Sequence, residues 1–317
     1  MKALQYSEYG PSSVLHLVEL PDPQPPAGRI RVAVRAIGVN PFDWKVRSGA
    51  FGDTTPTRLP HVPHSDVAGV VDAIGEGVEG VQLGDEVFGT AAGGGAAEHA
   101  ILREWAQKPP GMTFAEAAGL PNVVETAGRA LDLLGISKLQ PTAHTTEGDP
   151  SAQRGPTLVI NGASGGVGIA AVQLAIARGA TVIGTASERN HEFLTKLGAT
   201  PVTYGPGLAD RIRTLAPAGV DRALDTAGRG AVAELVTLTP TPADVVSIAD
   251  FDAAKHGARV TDGSEGRAYQ TLQEAAALYT EGRFTMPVER TYPLSEAAAA
   301  HDLSESGHVR GKIVLTL

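Results

Sequence analysis

The sequence predicts an α/β protein in which an antiparallel, barrel-like β region is joined to a doubly wound parallel sheet. Three observations predict it. From Thr157 onward, strand-like and helix-like runs alternate, the pattern of parallel sheets with helical crossovers. A glycine-rich turn links the first of those strands to its helix. The first third instead holds short β-like runs separated by glycine and proline. The chain has 317 residues, enough for two domains.

The elements follow in order. In Arg29 to Val39, the apolar Ile30, Val32, Val34 and Ala36 alternate with Arg31, Ala33 and Arg35, as on a half-buried strand. Pro21 to Pro26 must be extended loop, because each proline removes a backbone donor and disfavours helix before it. Val67 to Ile74 and Asp85 to Gly89 are further strands, with Gly75, Gly77, Gly80 and Gly84 at the turns. The composition turns helical at Phe114 to Leu120 and Val123 to Leu134. Strands are predicted at 157–161, 181–186, 201–204, 222–225 and 245–248. Helices are predicted at 167–178, 189–197, 208–215 and 230–238. A helix over 268–279, an alanine-rich helix over 295–303 and a closing strand over 312–317 complete the chain. The polar, breaker-rich stretch 140–156 reads as a surface loop entering the first parallel strand at its N-terminal end, away from the carboxyl ends where such sheets bind ligands.

Composition excludes several classes. The net charge is -9, which argues against a nucleic-acid partner. No apolar run reaches the ~18 residues of a membrane span, and the start shows no secretory core, so a cytoplasmic protein is expected. The sequence has no cysteine, which removes disulfides, thiol nucleophiles and thiolate-bound zinc.

The segment Gly162-Ala163-Ser164-Gly165-Gly166-Val167-Gly168 has G-x-x-G-x-x-G spacing. A lone glycine heptad is weak evidence. Here it follows the apolar run Thr157-Leu158-Val159-Ile160 and precedes a helix, Ile169 to Arg178, that reads as amphipathic. In that setting, backbone N–H groups and a helix N-terminus can hold a pyrophosphate, so Ser164, Gly165, Gly166 and Val167 are cofactor-binding candidates. At the end of the second strand, NAD binders carry an acid for the ribose 2′-OH. Here that position is Ala186, followed by Ser187, Glu188, Arg189 and Asn190. Ser187, Arg189 and Asn190 suit a 2′-phosphate and favour NADPH. If the strand ends two residues later, Glu188 becomes the ribose acceptor. Otherwise Glu188 and Arg189 merely open the next helix.

At this point the chain resembles the medium-chain dehydrogenase/reductase superfamily, in its zinc-free quinone-oxidoreductase (ζ-crystallin-like) branch. The matching pieces are residues 38–49 (Gly38 to Gly49), Asp66 to Val71, Gly84 to Gly89, Ala97 to His99, Asn161 to Gly168, Leu197 to Ala199, Asp225 to Gly228 and Gly311 to Leu315. The resemblance implies a GroES-like β-barrel domain built from both chain ends, 1–122 and 264–317. A Rossmann domain, 123–263, is inserted between them, with NADPH in the cleft and a homodimer as the assembly. Zinc members carry Gly-His-Glu where this chain has His64-Ser65-Asp66, so the metal-binding histidine is replaced by serine. His61 and His64 are three apart, but Pro60 and Pro63 make a shared helix face improbable, and no metal is expected.

The resemblance also implies residue roles. Asn40 corresponds to an asparagine near nicotinamide and substrate. Asp43 is expected to order its loop and to support Arg47 or Lys45, and it ranks with Asn40 and Lys45 as a catalytic candidate. Trp44 stands where some relatives carry a tyrosine, so the proton donor is unassigned: solvent, Lys45 and His64 are the candidates. Thr126 is expected near the phosphates and nicotinamide, and Ser247, Ile248 and Ala249 beside the nicotinamide. Tyr204 is placed near the adenosine, with a core tyrosine as the alternative, and Arg310 is a cofactor contact or a solvated arginine. The expected activity is NADPH-dependent reduction of quinones or α,β-unsaturated carbonyls. Alternatives are an enoyl reductase of a biosynthetic pathway, which a basic channel for a carrier would support, and a non-catalytic NADPH-binding sensor or structural protein. Loops 50–62 and 250–264 decide the substrate.

Overall fold

The computed structural model describes residues 1–52, 57–137, 155–307 and 309–317. The predicted loop 140–156 lies outside them except for Gly155 and Pro156. The chain divides into two compact units, Met1–Val123 with Tyr269–Leu317, and Val124–Ala268.

The first unit begins with a β1 (Lys2–Gln5) and β2 (His16–Glu19) hairpin pair. Then come β3 (Ile30–Val39), a short helix α1 (Pro41–Arg47), β4 (Asp66–Ile74), β5 (Glu86–Ala91) and β6 (His99–Gln107). Helix α2 (Phe114–Ala118) follows, capped by Thr113, whose hydroxyl accepts from the Glu116 N–H. The alternation predicted for β3 holds over its first half. From Ala36 to Val39 every residue is buried, because this half also packs under α2: a side chain on Gly38 would lie 2.3 Å from the Ala118 carbonyl oxygen. Helix α1 replaces an expected loop. Pro41 enters at its first turn, and the Asn40 N–H donates to Asp43 at 2.7 Å.

The second unit takes over within α3 (Pro121–Leu133) and continues with β7 (Thr157–Asn161), α4 (Gly166–Ala177), β8 (Thr181–Thr185), α5 (His191–Lys196) and β9 (Thr200–Val202). It closes with α6 (Leu208–Leu215), β10 (Arg222–Asp225), α7 (Val232–Leu235), β11 (Val245–Ser247) and β12 (Arg259–Val260). All five pairings of its sheet are parallel, in the order β12-β11-β10-β7-β8-β9. Its core joins Val159, Ile183, Ala223 and Val245 of the strands to Leu208, Ile212, Val232 and Leu235 of the helices.

The chain returns to the first unit through α8 (Thr271–Thr280), β13 (Val288–Pro293), α9 (Ala297–Ser306) and β14 (Lys312–Thr316). Its six-stranded sheet runs β13-β14-β3-β4-β5-β6, and β6 pairs back onto β3, so the sheet curls into a barrel. Only the β13–β14 pair is parallel. The fold is therefore the expected one. The second boundary falls at Tyr269, not at 264. Residues 265–268 stay with the parallel-sheet unit because α3 holds them: Glu125 accepts from the Ala268 N–H at 3.1 Å and pairs with Arg267 at 3.3 Å.

Candidate functional site

The glycine turn is a built cradle. Gly162 takes φ 81°, and its N–H donates to the Thr185 hydroxyl at 3.0 Å. Gly168 packs so tightly that a side chain there would lie 2.2 Å from the Gly162 carbonyl oxygen. Gly165 differs: a side chain would meet nothing closer than the Gly162 oxygen at 3.5 Å. Helix α4 starts at Gly166, so the N–H groups of its first turn have no intrahelical partner. Space at Gly165 and N–H groups of Gly166 and Val167 are what a pyrophosphate needs.

The end of β8 lies next to that turn. The strand stops at Thr185, and the Ala186 N–H donates to Val202. Glu188 and Arg189 are exposed in a short 3-10 turn. Buried Asn190 donates to the Ser164 hydroxyl at 3.2 Å and the Ser187 hydroxyl at 3.3 Å. The structure thus brings Ser164, Ser187 and Asn190 together. Tyr204 lies beyond β9, which ends at Val202, and is 55% exposed. That openness excludes a core tyrosine.

A chain of buried polar side chains crosses four neighbouring strand tips. The Thr185 hydroxyl donates to Asn161 at 2.7 Å, and the Asn161 amide donates to Asp225 at 2.8 Å. The Ser247 hydroxyl also donates to Asp225, at 2.7 Å, while its oxygen accepts the Ala249 and Asp250 N–H groups. Asp225 further accepts the Ala227 and Gly228 N–H groups. Ser247 is fully buried, with its hydroxyl engaged in this chain; Ile248 and Ala249 are the half-buried residues at that tip. Thr126 is buried on α3, its hydroxyl 3.5 Å from Glu125. Arg310 is exposed on the turn before β14 and belongs to the first unit.

In the first unit, Asn40 lies between two buried charges. Its amide donates to Asp66 at 2.9 Å, and its carbonyl accepts from the Lys312 ammonium. Asp66 also accepts the Asn122 N–H at 3.1 Å. Burial pushes the Asp66 carboxyl up to about 6 against the pull of Lys312 and Asn40, and burial lowers Lys312. Asp43 supports neither Arg47 nor Lys45. It accepts the Asn40 N–H and bonds His64 Nδ1 at 2.9 Å. Burial pushes Asp43 up, but His64 and the Asn40 N–H outweigh it and hold the carboxyl below its ordinary range. The Lys45 ammonium lies 5.7 Å from the Trp44 ring centroid. Among the described residues, no cluster of three or more His, Cys, Asp or Glu side chains could hold a metal ion.

Comparison with known proteins places this geometry. An alcohol dehydrogenase GroES-like domain model matches residues 26–122, and a zinc-binding dehydrogenase model matches residues 197–315. The quinone oxidoreductase of Rattus norvegicus is 30% identical, with 100% of this chain and 98% of that protein covered. The structure of the quinone oxidoreductase from Coxiella burnetii matches with a TM-score of 0.80 at 30% identity, over 100% of this chain and 99% of that one. The chain belongs to the medium-chain dehydrogenase/reductase superfamily, in its quinone oxidoreductase branch. Two further structures divide on the cofactor. A mycobacterial protein complexed with NADPH matches at 25% identity and TM-score 0.78, covering 100% of both chains. An NAD-dependent alcohol dehydrogenase matches at 28% and 0.82, again covering 100% of both.

Within the superfamily this chain is an oxidoreductase with the fold that binds nicotinamide dinucleotides. The zinc in the name of the second model finds no thiolate here, since the sequence has no cysteine, and Ser65 stands at the histidine position. Several site residues escaped the sequence reading. Asp66, Asn161, Asp225 and Lys312 lie inside the motif pieces but gave no sign of their roles. His301, in an alanine-rich helix, gave no signal at all.

Proposed function

We propose that this protein is a zinc-independent, NADPH-dependent oxidoreductase that reduces quinones or α,β-unsaturated carbonyls. The observation that carries the reading is the end of β8. The strand stops before Ala186, so the ribose-acceptor position is apolar, and Glu188 is exposed two residues further on. Serine hydroxyls and the Asn190 amide gather there, with Arg189 free to grip a phosphate through its fork.

Bound NADPH supplies the hydride. The chain's own residues do the rest. Gly165, Gly166 and Val167 with Ser164 hold the pyrophosphate, and Ser187, Arg189 and Asn190 hold the 2′-phosphate. Tyr204 is the adenosine-side contact. Thr126, Ile248 and Ala249 serve the nicotinamide side, with Ser247 acting through the backbone it holds. Asn40 spends one amide proton on Asp66; the other stabilises the oxyanion that reduction creates. Superfamily analogy makes a homodimer the working assembly.

The test is the binding of NADPH against NADH, followed by NADPH oxidation with 9,10-phenanthrenequinone and with a simple enone. NADPH preference with turnover is expected. Tighter binding of NADH would make Glu188 the ribose acceptor and overturn the cofactor reading. Turnover confined to thioesters would move the protein to the biosynthetic enoyl reductases, and binding without any turnover would make it a sensor.

A further inference from the structure

We propose that Asp43, His64 and His301 form a buried one-proton store that returns a proton to the substrate side of the β unit after each hydride transfer. It rests on the reductase reading and supplies what that reading lacks, the source of the proton.

The geometry is a continuous line. Asp43 Oδ2 lies 2.9 Å from His64 Nδ1, and His64 Nε2 lies 3.1 Å from His301 Nε2. The two rings meet edge to face, with centroids 5.0 Å apart. All three side chains are buried. Two imidazole nitrogens at that distance must share one proton, since one has to donate and the other accept. The Asp43 carboxylate fixes the first proton on His64 Nδ1. In the uncharged chain, His301 therefore donates from Nε2, and its Nδ1 is a bare acceptor.

Two further observations favour a working device over packing. His64 adopts φ 64°, a left-handed backbone that disfavours any side chain, at the position where zinc members of the superfamily carry glycine. A histidine is kept where glycine fits better. Second, His301 Nδ1 at the outer end of the line, the Arg47 cation that acts on it and the Tyr6 hydroxyl near Asp43 and Arg47 carry unmet polar atoms. His301 Nδ1, Arg47 Nε and Nη1 and the Tyr6 hydroxyl are all buried with no hydrogen-bond partner. Buried polar groups lacking protein partners are ordinarily met by ordered water. Arg47 also reaches Glu305, which is 49% exposed, so this end approaches solvent.

The groups facing His64 and His301 set where charge rests. They are Asp43 and Arg47 from α1 and His61 from the segment before β4, with Arg47 itself paired to Glu305 of α9. Burial, with His64 beside it, lowers His301 to about 3, and the Arg47 cation adds to this, so His301 passes a proton but does not keep one. The step balances as follows. A proton from water bonds to His301 Nδ1, and the His301 Nε2–H bond breaks toward His64 Nε2. The charge then lies on His64 against Asp43. When reduction leaves an oxyanion one proton short, the His64 Nδ1–H passes through Asp43 Oδ2 to it. One proton enters, one leaves and no electrons move along the line; both imidazoles then turn over, returning the His64 N–H to Asp43 and the His301 N–H to His64, before the next proton enters.

The experiment combines imidazole nitrogen NMR titration of the full chain with NADPH turnover on 9,10-phenanthrenequinone in light and heavy water. The variants are His301→Gln and His64→Gly. Both are expected to slow turnover about 10²-fold, the usual scale of a lost proton-transfer group, with an enlarged solvent isotope effect and unchanged NADPH binding. His301→Gln is also expected to move the His64 imidazole nitrogen signals at fixed pH, because it removes the Nε2 contact. Variants that shift only the melting temperature, with pH profile and isotope effect intact, would reduce the line to packing and overturn the proposal. If His301→Gln fails to fold, His64→Gly decides, because it restores the residue its backbone favours. If no quinone or enone is turned over, the reductase reading falls; His64 nitrogen signals that His301→Gln leaves unmoved then separately overturn the store.

Discussion

Asn40 shows what a single side chain can do that neither neighbour in size nor neighbour in charge could. Its amide offers an acceptor to the Lys312 ammonium and a donor to the Asp66 carboxylate, so two buried charges are bridged without touching. Leucine would leave both unmet. Asn40→Leu is expected to cost about 2–4 kcal/mol, the scale of stranding buried charged partners, read from the urea midpoint. Asn40→Asp keeps the acceptor for Lys312 but sets a second carboxylate against Asp66, and should raise the Asp66 carboxyl further, as seen by carboxyl-carbon NMR. Gly168 makes the same point sterically. Its neighbours are the Gly162 carbonyl oxygen and the Ala163 backbone, none of which can move aside cheaply. Gly168→Ala should therefore distort the turn, and a titration that found NADPH affinity unchanged would contradict the cradle.

Elements act here through their ends. The tips of β8, β7, β10 and β11 are tied by the line Thr185, Asn161, Asp225 and Ser247, so the turn at Gly162 and the segment after β11 are held by one hub. Asp225→Asn replaces an oxygen that accepts by a nitrogen that donates. About 1–3 kcal/mol of stability should be lost, with a matching loss of NADPH affinity in calorimetry. Helix α9 carries a pH term. Burial lowers His301 to about 3 from an ordinary 6.5. Its neutral form thus contributes fully above 6.5, and that contribution is lost as pH falls toward 3. Asp66, raised to about 6, has the opposite sign: its contribution is full below 3.8 and is lost as pH rises through 6. The His301 shift is the larger. Melting curves at neutral and mildly acidic pH should show His301→Leu losing less stability on acidification than the parent chain. The main helices and parallel strands were legible because short apolar runs alternate along the chain with longer helix-forming stretches punctuated by glycine, even where, as in β7 and α4, burial is continuous and leaves no period. Helix α1 was not, since its seven residues are too few for a period and begin at a proline.

At the scale of the whole chain, what local sequence cannot show is what distance in sequence brings together. The glycine cradle lies within one heptad and could be read directly. The Asn40–Lys312 contact spans 272 positions and the His64–His301 contact 237, so neither has a spacing to recognise. The same separation divides the molecule's response to ligand. The cradle, the end of β8 and the strand-tip line all belong to the unit Val124–Ala268, while the buried charges of Asn40 and the histidine line belong to the unit made from both chain ends. Two units with separate cores need not unfold as one, so a single melting temperature would blur them. Hydrogen exchange followed by segment does not. NADPH at 100 times its dissociation constant stabilises the state that binds it by about 2.7 kcal/mol. Amides of 157–168 and 181–190 should therefore slow by up to about 100-fold with NADPH and distinctly less with NADH at equal concentration. The β1–β2 pair, far along the chain from the cradle, serves as the internal reference. Equal protection by the two cofactors would remove the 2′-phosphate role from Ser187, Arg189 and Asn190. Protection confined to segments outside 157–190 would remove the cradle itself.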